Sequence, residues 1–245
     1  MTYLDTIRQR YPKALSTGDS VDRMFDILKL RLQLAPSQLM SADSICSDDL
    51  NSIEYPKRAY EMLGPFKMGG LNGFPFTGLT GMGAFAHHVP VDGAVFVFYA
   101  PHIGITRGGA VGEILRPGQA AASACCGAAK AAIGKLFRGE ITPGHITELD
   151  YQQNTIEQIF LANEKRIRAA AEPIAEATEA MYKAIEDRID LLAERTKYQC
   201  RFLILVGGIL INADYDEGSF VEVRRFHAIN LATCERTDLS GELYR

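Results

Sequence analysis

The sequence has no apolar run long enough to cross a membrane and no excess of positive charge. Its longest apolar run, residues 202–211, has the length of a β-strand. The formal net charge is −4, which makes a nucleic acid an unexpected partner. The N-terminal segment also has no apolar core of the kind that secretory signal peptides carry. We therefore expect a chain with neither a membrane nor a nucleic acid as its partner.

Cysteines are few and odd in number. Five cysteines in 245 residues do not form the dense pattern of a small disulfide-stabilised domain. This usage indicates a reducing compartment in which thiols remain free for metal binding or packing. We interpret Cys200 and Cys234, which lie in or beside strand-like runs, as packing residues.

The pattern of apolar residues predicts one α/β domain over residues 1–245. Apolar side chains recur at helical spacing in residues 3–35 and again in residues 151–196, where Pro173 must kink or divide the helix. Residues 201–211 and 219–229 are predicted to form two strands joined as a hairpin. We see no internal repeat, low-complexity tract or linker that would divide the chain.

The most informative stretch is residues 94–126. A buried strand is predicted over residues 94–100, and His102 follows it at the edge where ligands bind in open α/β sheets. A glycine-rich loop comes next, and then an alanine-rich helix predicted from about Gln119. Cys125 and Cys126 would lie inside this helix, so that a thiol and the imidazole could converge.

A third candidate ligand, Cys46, lies upstream in a segment rich in Ser and Asp. One His and two Cys form a zinc ligand set with an open fourth position. Neighbours on a helix diverge by about 100°, so at most one of Cys125 and Cys126 is expected to bind the ion. No compact spacing such as CxxC supports the set, and by itself the signal is weak.

Other polar residues have both a structural and a functional interpretation. Asp48 could cap a turn, and Arg58, on a predicted short helix over residues 57–65, could be an ordinary surface charge. His87 and His88 end a glycine-rich segment predicted to be a loop, where they could form structural hydrogen bonds or a proton relay near the site. That segment lacks the Lys-Ser/Thr of a phosphate-binding loop.

Several motifs together resemble one family. SICSDDLN around Cys46, GFPFTGLTGMGAFAHHVP, APHIGI after the predicted strand, and SACCGAAKAA are similar to the limiting-CO2-inducible protein B/C family, which is related to β-carbonic anhydrases. The similarity extends over most of residues 40–135. It implies a β-carbonic-anhydrase-like fold, with a mostly parallel central sheet flanked by helices, a bound Zn²⁺ and a homodimer.

The resemblance also implies roles for particular residues. Cys46, His102 and Cys126 match the zinc ligands by position, and Asp48 matches an aspartate that pairs with an arginine. Ordinary β-carbonic anhydrases carry CxDxR followed by HxxC, but residue 50 here is leucine and no cysteine follows His102 by three residues. The arginine is therefore expected from the following helix, as Arg58, with Arg107 as the alternative.

The implied activity is the hydration of CO2 to bicarbonate, in the cytoplasm or the chloroplast stroma. Zn²⁺ acts as a Lewis acid that lowers the pKa of a water to roughly 7, and an ionised Asp48 would orient it. The aromatic residues Phe74, Phe76 and Phe85 are expected to line the pocket. Two alternatives remain: a non-catalytic zinc-binding subunit, and a thiol hydrolase with Cys125 or Cys126 as nucleophile and His102 or His87 as base.

Overall fold

Parallel strands form the centre of the sheet in this computed structural model, which describes residues 2–51, 55–215 and 217–245. The strands in chain order are β1 (Leu15–Ser16), β2 (Leu39–Ser44), β3 (Leu63–Lys67), β4 (Ala94–Tyr99), β5 (His102–Gly104), β6 (Glu113–Ile114), β7 (Ser123–Ala124), β8 (Phe202–Asn212), β9 (Ser219–Asn230) and β10 (Arg236–Asp238). The main sheet has the order β1-β9-β8-β4-β2-β3, in which β3, β2, β4 and β8 are parallel. Strand β5 extends the pairing along β8 beyond the end of β4. The expected mostly parallel α/β sheet is confirmed.

Helices cover both faces of this sheet. They are α1 (Tyr3–Arg8), α2 (Thr17–Leu32), α3 (Gly78–Ala86), α4 (Gly127–Arg138), α5 (Tyr151–Ala162), α6 (Glu164–Ala169) and α7 (Pro173–Arg195). Pro173 occupies the first turn of α7, where its missing N–H is not needed, so it begins a new helix. Helix α2 is capped by the Ser16 hydroxyl, which accepts a hydrogen bond from the Asp19 backbone N–H at 3.0 Å.

Alternate residues of the central strands enter two different cores. Val95, Val97 and Tyr99 of β4 pack in the core that also contains residues of α3, α4, α5 and α7. Phe96 packs on the opposite face, with residues of α2. Every residue of β8 is buried. Burial on both faces explains why these strands appear in the sequence as continuous apolar runs.

Three local predictions are wrong, and one is confirmed. The segment predicted as a glycine-rich loop contains α3, because burial of Met82 and Phe85 outweighs the low helix propensity of its glycines. Gly64 lies within β3 and does not end a helix. The helix predicted from Gln119 begins only at Gly127. The predicted hairpin is confirmed, since β8 and β9 pair antiparallel.

None of the helices in the described parts of the chain combines the length and the apolar character needed to cross a membrane.

Candidate metal centre

Three segments meet at the carboxyl edge of the sheet. Cys46 follows β2, His102 begins β5 just after β4, and Cys126 follows β7 and precedes α4. Because β2 and β4 are adjacent and parallel, their carboxyl ends lie side by side. Residues far apart in the sequence are brought together here.

The three predicted ligands form one buried cluster. One donor atom from each of Cys46, His102 and Cys126 lies within 4.8 Å of the other two. The two Sγ atoms are 4.0 Å apart, and all three residues are at most 3% exposed. Two thiols and one imidazole at these separations could hold a metal ion, and this donor set suits zinc.

Asn212, at the end of β8, orients the His102 imidazole. His102 Nδ1 lies 2.7 Å from Asn212 Oδ1, and an amide oxygen accepts a hydrogen bond, so Nδ1 carries the proton. The Asn212 amide donates in turn from Nδ2 to Asn51 Oδ1 at 3.2 Å. Nε2 of His102 is therefore left with a lone pair, and this atom is buried without a hydrogen-bond partner in the described residues. A metal ion would satisfy it.

Each of the two thiols lies beside a backbone feature that can stabilise negative charge on its sulfur. The backbone N–H of Asn72 donates a hydrogen bond to Cys46 Sγ at 3.0 Å. Cys126 is the N-cap residue of α4, where the helix dipole favours negative charge. The backbone of Cys126 is extended, with φ −81° and ψ 135°.

The two thiols and the imidazole of the cluster shift one another's pKa values. A hydrogen bond from the Cys126 thiol is the main cause that lowers the pKa of Cys46 to about 4. The same interaction, together with burial, raises the pKa of Cys126. Burial lowers the pKa of His102, but the neighbouring thiols of Cys125, Cys126 and Cys46 raise it by a larger amount, and the net shift is upward. A bound divalent cation would allow both thiols to ionise and would keep His102 neutral.

Asp48 lies in a turn beside the cluster and pairs with Arg116. Its Oδ1 accepts a hydrogen bond from the Leu50 backbone N–H at 3.2 Å, so the turn-capping interpretation also applies. Arg116 Nη2 lies 3.3 Å from Oδ1 and 3.4 Å from Oδ2. Burial raises the pKa of Asp48, but a hydrogen bond with Asp49 and the charges on His102 and Arg116 lower it more, so the net shift is downward.

A short hairpin holds Arg116 in place. Strands β6 and β7 pair antiparallel, and Arg116 lies in the loop between them. Its Nη1 donates to Ser123 Oγ at 2.8 Å and to the Ala124 carbonyl at 3.0 Å. The guanidinium is therefore fixed to the strand that leads directly into Cys125 and Cys126.

Comparison with known proteins agrees with this geometry. The sequence model of the family described as limiting CO2-inducible proteins B/C beta carbonic anhydrases matches residues 15–230. The chain belongs to this family. Its members are described as carbonic-anhydrase-like, and the Cys-His-Cys cluster could hold a metal. No curated protein sequence is significantly similar to the chain.

Two solved structures show how far the family resemblance extends. The crystal structure of PtLCIB4, a homologue of the limiting CO2-inducible protein LCIB, superimposes with a TM-score of 0.83 at 26% identity, over 96% of this chain and 98% of that one. LCIB itself gives a TM-score of 0.70 at 18% identity, over 94% of this chain and 95% of the other. The chain therefore has the same α/β fold as PtLCIB4 and LCIB.

Cys125 and Cys126 diverge, but not for the predicted reason. They lie before α4, because the backbone continues the β-pairing: Cys125 N–H donates to the Gly112 carbonyl at 2.9 Å. The Cys125 thiol faces His102 Nδ1 and Asn212 Oδ1, each at 3.5 Å. It therefore contacts the side of the imidazole that is already hydrogen-bonded, whereas Cys126 faces Cys46.

The structure places Arg116, and not the predicted Arg58, beside Asp48. Arg58 lies on the 3₁₀ helix Lys57–Glu61, where it pairs with Asp22 at 3.3 Å and with Glu61 at 3.5 Å. The alternative candidate, Arg107, forms an ion pair with Glu217. Arg58 is half-exposed, in keeping with an ordinary surface charge.

His87 and His88 are exposed and lie at the end of α3. The chain runs from there to the beginning of β4, which is the amino edge of the sheet, whereas His102 lies at the carboxyl edge. The predicted proton relay through these two histidines therefore has no support in the geometry. Phe85, predicted to line a pocket, is fully buried and stacks on Phe66 with the ring centroids 5.9 Å apart.

Proposed function

We propose that this protein is a zinc-dependent carbonic anhydrase, which converts CO2 and water reversibly into bicarbonate and a proton for inorganic carbon acquisition. The observation that carries the proposal is the buried Nε2 of His102, which has no hydrogen-bond partner among the described residues and belongs to a cluster with two thiols. Membership of a carbonic-anhydrase-like family supports it. Cys46, His102 and Cys126 would hold Zn²⁺, which when bound supplies the Lewis acidity that activates a water.

The remaining roles belong to Asp48 and Arg116. An ionised Asp48 carboxylate accepts a hydrogen bond from the attacking water and orients its lone pair towards CO2. Arg116 holds Asp48 in this charged form through the contacts at 3.3 and 3.4 Å. Asp48 is thus the proposed catalytic residue, and Arg116 takes the positioning role first expected of Arg58.

The main alternative is a zinc-binding subunit without activity. In such a protein a side chain of the chain itself would fill the fourth metal position. Among the described residues, the group able to hold a metal contains only Cys46, His102 and Cys126, and Asp48 is engaged by Arg116. This arrangement favours an open position and hence the enzyme.

A thiol hydrolase has less support. His102 Nδ1, the atom nearest to Cys125, donates to Asn212 and so cannot act as a base for that thiol. The Cys125 and Cys126 side chains are both at most 1% exposed. Iodoacetamide should therefore label the exposed Cys234 first in zinc-loaded protein. Rapid labelling of Cys125 with loss of an esterase activity would favour the hydrolase.

The decisive experiment is CO2 hydration measured by stopped-flow with a pH indicator, on protein of known zinc content. The wild type would be compared with Cys126→Ala, Asp48→Ala and the control Cys234→Ala. We expect about one zinc per chain and turnover in the wild type and the control. Cys126→Ala should lose zinc and activity, whereas Asp48→Ala should lose activity with its zinc retained. Bound zinc without turnover between about pH 7 and 9 would favour the non-catalytic subunit.

Two further parts of the proposal rest on the family resemblance. We propose a homodimer, which light scattering coupled to size-exclusion chromatography would test, with a single-chain mass as the contrary result. The cytoplasm or the chloroplast stroma remains the predicted compartment, and imaging of a fluorescent fusion of the native gene product would decide between them.

A further inference from the structure

Asn72 is a buried amide that the structure leaves without partners. It lies in the 3₁₀ turn Leu71–Gly73 and is 1% exposed. Neither its Oδ1 nor its Nδ2 forms a hydrogen bond within the described part of the chain. Buried side-chain amides nearly always have partners in the protein or in a bound molecule. The carboxamide therefore needs a partner that residues 2–51, 55–215 and 217–245 do not provide.

The location of Asn72 indicates where this partner binds. Its backbone nitrogen is 3.0 Å from Cys46 Sγ. An asparagine carboxamide lies within roughly 5 Å of its own backbone nitrogen, so both amide atoms are within roughly 8 Å of Sγ. The other unpartnered buried atom of this neighbourhood is His102 Nε2, which belongs to the same cluster. The unpartnered groups of Asn72 and His102 thus both lie near Cys46 Sγ.

We propose that the Asn72 carboxamide binds bicarbonate at the metal centre, an inference that rests on the proposed function. Bicarbonate carries anionic oxygens, which accept hydrogen bonds, and one hydroxyl, which donates one. The carboxamide offers one matching donor, Nδ2–H, and one matching acceptor, Oδ1. The core that contains Cys46 and Cys126 is otherwise formed by apolar side chains such as Met68 and Met82. A polar ligand there depends on the few polar groups within reach.

Substitution of Asn72 can separate the hydrogen bond that its backbone N–H donates to Cys46 from the proposed contact between its carboxamide and bicarbonate. Its φ of 53° and ψ of 20° lie in the left-handed region, which asparagine and glycine tolerate best. This conformation presents the N–H to Cys46. Asn72→Gly keeps the backbone free to adopt it and removes only the carboxamide. Asn72→Asp keeps the shape but replaces the donor with a negative charge.

The test uses full-length protein loaded with Co²⁺, whose visible spectrum reports both its ligands and the anions that bind. Wild type, N72G and N72D would be titrated with bicarbonate, and with acetate as an anion without a hydroxyl. Cobalt affinity would be measured separately by chelator competition. We expect N72G to hold cobalt within about threefold of the wild type and to bind bicarbonate about tenfold or more weakly, with a smaller loss for acetate. In N72D, bicarbonate binding should be lost.

Three results would overturn the inference. Bicarbonate affinity within twofold of the wild type in N72G or N72D would show that the carboxamide does not contact the anion. A loss of cobalt affinity in N72G as large as the loss of bicarbonate affinity would make Asn72 a structural residue only. If the spectrum of the cobalt-loaded wild type does not respond to bicarbonate, the proposed function and the role of Asn72 are both overturned. The first two results, in contrast, overturn only the role of Asn72.

Discussion

Removing Arg116 should reduce CO2 hydration without removing the metal. The guanidinium contacts both oxygens of Asp48 but none of the three candidate ligands within the described hydrogen bonds. In Arg116→Ala, Asp48 would lose its counter-charge, and its carboxylate would become free to rotate away from the water or towards the metal. Zinc content should therefore remain near one per chain while turnover falls.

The burial of the pair gives the size of this effect. The Arg116 and Asp48 side chains are 17% and 14% exposed, which lies between a surface pair worth about 0–1 kcal/mol and a buried pair whose disruption costs about 3–5 kcal/mol. The contacts are long at 3.3 and 3.4 Å, so we adopt about 2 kcal/mol. If that energy is lost from the transition state, kcat/KM falls about 30-fold.

Arg58→Ala is the matched control, because it removes the same charge from a half-exposed position beside Asp22. Stopped-flow hydration assays at equal zinc content should show Arg58→Ala within about twofold of the wild type. Equal losses in the two variants, or full activity in Arg116→Ala, would refute the assignment of Arg116 as the partner of Asp48.

Three further predictions concern metal binding and stability. Cys46→Ala should lose the bound zinc that Cys234→Ala retains, as measured by elemental analysis, and equal zinc in both would exclude Cys46 as a ligand. Asn212→Ala frees Nδ1 of His102 and should weaken zinc affinity about 10–100-fold in chelator competition; unchanged affinity would contradict the orienting role. Phe85→Ala removes a fully buried ring and should lower the free energy of unfolding in urea by about 3–5 kcal/mol, whereas an unchanged midpoint would place this ring outside the core.

The sequence was sufficient for the parts of the site that depend on sheet topology. The family resemblance implied the mostly parallel sheet, and the apolar run over residues 94–100 predicted one of its buried strands. Residues that follow such strands lie at the carboxyl edge of the sheet. His102 is of this kind, whereas Cys46 follows β2, which was not predicted, and was recognised as a thiol in a polar segment. Asn212 carried the same signal, a polar residue that ends the longest apolar run, but its partner could be recognised only once β8 was known to pair with β5.

The predictions that were wrong concern the backbone around Cys125 and the arginine beside Asp48. Both depend on pairing between very short strands, which the sequence does not reveal. Strands β6 and β7 have two residues each, too few for an alternating pattern, yet they place Arg116 and keep Cys125 extended. The alanines at residues 120–122 and 124 have high helix propensity, which suggested a helix that begins near Gln119. Arg58 follows Asp48 closely in sequence, but its carboxylate partners are Asp22 and Asp26 of α2 and its neighbour Glu61.

The position of β8 in the sheet has a consequence for the order of events during synthesis. This strand pairs with β4, β5 and β9, and it contributes Asn212, although it comes late in the chain. The ribosome releases Cys46, His102 and Cys126 well before the strand that orients the imidazole. A nascent chain can therefore pair β2 with β3 and β4 early, but it exposes the unfinished edge of β4 until residue 212 has emerged. A metal held in the complete site would therefore bind only after β8 has joined the sheet. Until then the unpaired edge of β4 is open to edge-to-edge aggregation.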